Sequence, residues 1–161
     1  MRALLLIAAI VAPLLGLSTA QAESPITSKM EAFVVEFNDD KEQLKEASNV
    51  EPDQLVEYQM TYVNKSESNI NGLTVVGPVP DGTSYVSATA KADVEASLLV
   101  SIDGGKSFEP EPVIRTETKS NGEVVEVVVP PSEYTHIKWL SSSAIYADGG
   151  RQFYSYRVRV K

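Results

Sequence analysis

No cysteine occurs anywhere in this chain of 161 residues, and it contains one histidine and one tryptophan. Without cysteine the fold has no disulfide staples and must hold by packing alone. Zinc sites built on thiolates are excluded, and a lone His136 cannot make a multi-histidine site, so carboxylates would have to supply the remaining ligands. An N-terminal lipid anchor on cysteine is excluded for the same reason. Basic residues are also scarce, with 14 Lys and Arg against 22 Asp and Glu and a net charge of −8. Nucleic-acid binding needs clustered Lys and Arg to neutralise phosphates, and this balance speaks against it. Electrostatic adhesion to anionic lipid is disfavoured on the same ground. The acidity favours solubility.

Long apolar runs are missing as well, with one exception at the start. Met1-Arg2 precedes an apolar stretch from Ala3 to Leu17, and the small residues Ala20 and Ala22 follow before Glu23. A basic start, an apolar centre and a small-residue site have the form of a secretory signal peptide, with cleavage expected after Ala22. The stretch contains Pro13 and Gly16 and falls short of the roughly 20 apolar residues that a spanning helix needs. Residues 1–22 are therefore expected to be removed, leaving residues 23–161, the size of one ordinary domain. No second span is expected, so the mature product reads as exported, periplasmic or extracellular, and free of the membrane.

The remaining chain alternates with a period of two. Val56-Glu57-Tyr58-Gln59-Met60-Thr61-Tyr62 turns its apolar residues one way and its polar ones the other. Similar patterns predict strands at 31–37, 70–76, 84–88, 96–102, 113–118, 124–129, 135–140 and 153–161. Residues 38–48 (NDDKEQLKEAS) carry one large apolar side chain, Leu44, and read as a solvated connection. Asp81-Gly82, Asp103-Gly104-Gly105, Asn121-Gly122 and Asp148-Gly149-Gly150 are turn signals. Asn121-Gly122 in particular separates two strands of a hairpin. The expectation is an all-β fold of about eight or nine antiparallel strands. Its period suits a sandwich or a barrel, and the alternation favours two sheets packed face to face.

Motifs for chemistry are absent or decay on inspection. Gly105-Lys106-Ser107 resembles the end of a phosphate loop, but Val100 stands where the pattern needs glycine. No Gly-x-Ser-x-Gly elbow accompanies His136. The acids Asp39, Asp40, Asp53, Asp81, Asp103 and Asp148 include calcium-type ligands, yet none forms an EF-hand loop, and turn chemistry accounts for them. No pair among the acids stands out for glycoside hydrolysis. No catalytic, metal-binding or cofactor-binding residue is therefore assigned. Asn64-Lys65-Ser66 fits the glycosylation sequon. Arg157, Arg159 and Lys161 form a basic row on the wet face of the last strand, readable as a docking site for an acidic partner or as edge protection. Tyr85, Tyr134 and Tyr146 lie near strand ends, where exposed rings would suit a carbohydrate or other ligand.

Several of these pieces occur in a familiar order. VEPDQLVEYQMTYVNKSESNINGLTVVGPVPDGTSYV resembles the opening of the bacterial surface-repeat family called domain of unknown function eleven. The matching residues are Pro52, Tyr58, Tyr62, Asn64, Pro80, Gly82, Thr83 and Tyr85. The segment from Ser101 to Phe108, that from Tyr134 to Trp139 and the final Tyr-x-Val-x-Val strand extend the resemblance over roughly residues 48–161. The family's Pro-Gly-Asp turn is replaced by Pro52-Asp53-Gln54, and its members often occur in tandem whereas one unit is legible here. The resemblance implies an immunoglobulin-like sandwich over 48–161, after an N-terminal strand and charged connection over 23–47. The family is found in exported and cell-surface bacterial proteins, with no activity attached. With a complete fold signature and no credible active site, the chain reads as a non-enzymatic exported module with a structural or protein-interaction role in the cell envelope; a small carbohydrate- or ligand-binding protein, suggested by the tyrosines, is the alternative.

Overall fold

The structure, a computed structural model, describes residues 24–39 and 41–161. The expected signal peptide lies outside the described residues. The fold is all-β and antiparallel, with two sheets forming a sandwich and a separate two-stranded ribbon. Its elements are β1 (Ile26–Asn38), β2 (Lys41–Glu46), β3 (Leu55–Asn64), β4 (Thr74–Pro78), β5 (Thr83–Tyr85), β6 (Lys91–Ala92), β7 (Ala96–Ser101), β8 (Ile114–Thr118), β9 (Val124–Val128), β10 (His136–Ser141) and β11 (Arg151–Val160). A 3-10 turn, Pro131–Glu133, precedes β10. The larger sheet runs β2-β1-β3-β11-β5, with β6 also on β11, and the smaller runs β4-β10-β7.

The period-two pattern of β3 and β11 explains how the sheets meet. These strands pair in the register Tyr58↔Tyr156 and Met60↔Tyr154, which turns Tyr154, Tyr156 and Val158 inward together. All three are fully buried. From the opposite sheet, β10 presents Ile137 and Trp139, also buried. Trp139 lies 5.6 Å from the ring of Tyr154 and 6.0 Å from that of Tyr156, both in tilted geometry. Tyr58 stacks on Tyr156 at 5.3 Å. Aromatic contacts of this kind add to the area that the rings bury.

The described residues form eleven strands rather than eight or nine, and the differences have local causes. Residues 41–46, expected as a solvated connection, form β2, antiparallel to β1 from Phe33↔Glu46 to Asn38↔Lys41. Every residue of β2 is exposed, so no hydrophobic alternation announces it. Backbone pairing at a sheet edge requires no burial. Asp39, at φ 49°, supplies the left-handed residue of the connecting turn. The strand expected over 70–76 is shifted to Thr74–Pro78, leaving Ile70 in a lone bridge to Ile145. Gly72, at φ 69°, interrupts the segment, and Pro78 is tolerated because β4 is an edge strand whose outward donor is not needed.

Close approach also places a glycine within β4. A Cβ built on Gly77 would lie 2.5 Å from Tyr156 Cε1. The Tyr156 hydroxyl donates to the carbonyl oxygen of the next residue, Pro78, so the ring cannot retreat without losing that bond. We predict that Gly77→Ala destabilises the fold by about 1–3 kcal/mol, the cost of overpacking a filled core. Urea denaturation followed by Trp139 fluorescence measures it, and a change of less than a few tenths of a kcal/mol would contradict the packing described.

Candidate functional site

The basic row of β11 is largely engaged within the molecule. Arg157 donates from Nε to Glu57 Oε2 at 2.7 Å and from Nη1 to Glu42 Oε2 at 2.9 Å, and its Nη2 pairs with Glu42 Oε1. Glu57 also accepts from Gln59 Nε2 at 2.7 Å. The charge of Arg157 is thus consumed within the molecule. Arg159 donates to the Asp53 carbonyl at 2.8 Å. Lys161 borders a cavity of about 120 Å³ with Asp81, Glu133 and Tyr134. Edge protection does not account for the row, because β11 is hydrogen-bonded on both sides, to β3 and to β5 and β6.

The Glu42–Arg157 contact also shapes the sheet. In the order β2-β1-β3-β11, three interstrand steps of about 4.8 Å separate the two backbones if the sheet is flat, about 14 Å in all. The register adds four residues along the strands, since Glu42 lies opposite Phe37 whereas Arg157, through Glu57, lies opposite Phe33, so the contact requires the sheet to bend toward its outer face there. Val34 and Val35, on opposite faces of β1, are accordingly both buried. Hydrogen bonding to Arg157 is the main cause holding the Glu42 carboxyl below its ordinary 4.5.

The tyrosines divide differently from expectation. Tyr85 and Tyr134, expected near the surface, are buried and stacked on each other at 5.9 Å. The Tyr134 hydroxyl accepts from the Val113 amide at 3.4 Å. The Tyr85 hydroxyl is buried with no hydrogen-bond partner among the described residues, and burial pushes its pKa up to about 12. Both were misread because a tyrosine at a strand end can point inward as readily as outward. Tyr146 alone of the three is exposed, at 70%.

Loop residues are committed to local structure. The Asp103 carboxylate accepts from Ser107 Oγ at 2.6 Å, from Ser101 Oγ at 2.7 Å and from the amides of Lys106 and Ser107 at 3.0 Å. These bonds hold it well below the usual carboxylate range, with Ser107 the leading cause. The Gly105-Lys106-Ser107 loop thus wraps an anion of its own. The His136 ring lies against Gly105, with Nδ1 3.2 Å from Thr135 Oγ1. Asn64, in the sequon, is fully buried. Its Nδ2 donates to the carbonyls of Ser68 and Ile145, and its Oδ1 accepts from the amide and hydroxyl of Ser66. A glycan cannot be attached there in the folded state. Among the described residues, no group of three or more His, Cys, Asp or Glu is placed to hold a metal ion, and no helix is long and apolar enough to cross a membrane.

Two open strand edges stand out. In β1, Ala32 accepts from the Ala47 amide where β2 ends, so by alternation Ser28 and Met30 point their backbone groups to the same side, where no strand pairs with them among the described residues. A notch of about 350 Å³ lies there, bordered by Lys29, Met30, Glu31 and Glu46, with Lys29 Nζ 2.7 Å from Glu31 Oε1. The second edge belongs to the β8–β9 ribbon. Val113 and Val129 anchor its base in the core, whereas Ile114, Val124 and Val128 lie on one face with 47%, 62% and 57% of their surface exposed. The hairpin itself was legible from Asn121-Gly122, but its exposed apolar face was missed. The signal was available: from 124 to 129 every residue except Glu126 is valine, more than a two-stranded ribbon can bury.

No known protein family and no curated protein matches the chain.

The arginine network yields a prediction. Because the Glu42 pKa is lower in the folded state than unfolded, its contribution is complete above about pH 4.5 and is lost as the pH falls through the lowered value. Glu42→Gln should remove that part of the acid sensitivity. Arg157→Met should destabilise the fold more, by about 2 kcal/mol, because it strands the largely buried Glu57. Denaturation midpoints from pH 3 to 7 test both, and identical pH profiles for Glu42→Gln and the parent would refute the assignment.

Proposed function

We propose that this chain is a non-enzymatic, exported module with a structural or protein-interaction role in a bacterial cell envelope. The observation that carries this reading is the β8–β9 ribbon. It is fixed to the core at Val113 and Val129, and beyond that base it offers Ile114, Val124 and Val128 to solvent. Exposed apolar surface on a well-anchored element is the usual mark of a protein contact. The polar groups elsewhere support the reading in a second way. Arg157, Asp103, Asn64 and Glu57 are spent on one another or on backbone, so they do not converge on a space where a substrate could react. The bacterial, exported setting and the kinship with the surface-repeat family rest on the tripartite N-terminus and on the residues from Pro52 to Tyr85. The fold is compatible with an immunoglobulin-like unit. A carbohydrate-binding reading keeps only Tyr146 of its three rings at the surface and is not favoured.

A photo-crosslinking residue at Val128, compared with one at exposed Lys65 just after β3, tests the proposal in envelope fractions. A discrete protein adduct from position 128 and none from position 65 is expected. The absence of any adduct from 128 would reject an interaction role for the ribbon.

A further inference from the structure

Resting on the reading of the ribbon as an interaction element, we infer that its partner is a second copy of this chain, joined through the free edge of β9. Backbone direction identifies the edge. The Lys119 amide donates to the Glu123 carbonyl and the Val129 amide to the Val113 carbonyl, so odd-numbered residues of β9 bond inward to β8. The N–H and C=O groups of Val124, Glu126 and Val128 therefore point outward, and among the described residues no strand pairs with them. On the opposite edge of the ribbon, the Ile114 carbonyl is already capped by Arg115 Nη1 at 2.9 Å. The β9 edge has no such cover.

The sequence of β9 selects the occupant. Val124-Val125-Glu126-Val127-Val128 reads the same in both directions. Two copies running antiparallel about a two-fold axis at Glu126 place Val124 opposite Val128 and Val125 opposite Val127 on both faces. Such a contact is isologous and closes on itself. It converts two ribbons into a four-stranded sheet, β8-β9 continued by its symmetry mate, with the apolar residues of both copies contiguous. A two-stranded hairpin alone is marginal in water, and extra strands with a shared apolar face stabilise it. Short strands of high β-propensity and low charge are the segments that pair in this way.

One contact opposes the pairing. Glu126 meets its own copy at the axis, and like charges directly opposite each other weaken a strand pair. Both copies are also acidic overall, at −8 each. Association between copies should therefore strengthen with salt, whereas a basic partner would bind more weakly as salt rises.

Sedimentation velocity on the purified protein reads this out. A dimer fraction that rises with protein concentration, and with salt from about 0.05 to 0.5 M, is expected. Glu126→Gln should tighten the dimer about threefold or more, most strongly at low salt. Glu126→Pro removes only an outward N–H and should weaken it at least about tenfold. Val124→Lys, which leaves every backbone bond in place, should act in the same direction and guards against misfolding of the proline variant. The absence of cysteine permits a direct test of register. Glu126→Cys should form a disulfide-linked dimer on mild oxidation, while Thr118→Cys, about 20 Å from its symmetry mate once the three strand steps and the four-residue offset are combined, should not. A monomer at all concentrations and salts, or equal cross-linking at both positions, overturns the inference. If Val128 instead cross-links only to a different protein, self-pairing fails while the interaction reading stands.

Discussion

Tyr156 is held by four groups at once, and the arrangement of both sheets follows from that. Its ring stacks on Tyr58 within its own sheet, meets Trp139 from the facing sheet and presses against Gly77 of β4. Its hydroxyl reaches the Pro78 carbonyl, joining the last strand of the chain to an edge strand of the opposite sheet. Burial drives the phenol pKa strongly upward, so the hydroxyl stays neutral and remains a donor. The two sheets are thus joined by polar and apolar means through one side chain. A residue at position 77 with any side chain would separate them.

The opposite face of the same strand works by charge. Arg157 follows Tyr156 directly and so points outward, where Glu57 and Glu42 converge on it. Glu57 is only 8% exposed, an expensive place for a carboxylate without a counter-ion. Arg157 supplies that counter-ion, and Glu42 then fixes the β1–β2 hairpin to the sheet. Strand β11 therefore carries the aromatic junction between the sheets on one face and the ionic anchor of the N-terminal hairpin on the other. The period of two in Tyr-Arg-Val-Arg-Val is what allows one strand to do both.

Those alternating stretches were also the parts of the fold that could be read without coordinates. Val56–Tyr62 and the last strand announce themselves because each has one apolar face, and Asn121-Gly122 announces its hairpin through a backbone requirement. Strand β2 was illegible because it buries nothing. Its formation depends on the register of β1, which no residue within Lys41–Glu46 encodes. The candidate surface was harder still. The basic row of β11 was visible as a pattern, but its neutralisation depends on Glu42, 115 residues away in the chain. Tyr85 and Tyr134 could not be assigned to the core from their positions at strand ends, since each is buried by the other.

Comparison of the exposed edges shows why β9 differs from its counterparts. The β2 edge carries Lys41, Glu42, Lys45 and Glu46, and such charges discourage an incoming strand. The β4 edge ends in Pro78, which has no amide to offer. The open part of β1 bears the Lys29–Glu31 ion pair beside its notch. On β8, Arg115 folds back onto the outward carbonyl of Ile114. Each of these devices blunts a strand that would otherwise accept a neighbour. Strand β9 has none of them beyond Glu126, although it is the strand richest in valine. The edges of β2, β4, β1 and β8 each carry such a device, and among the described residues that of β9 does not. The bare edge belongs with the exposed Val124 and Val128 as one surface, and Glu126 at its centre limits how tightly that surface can pair.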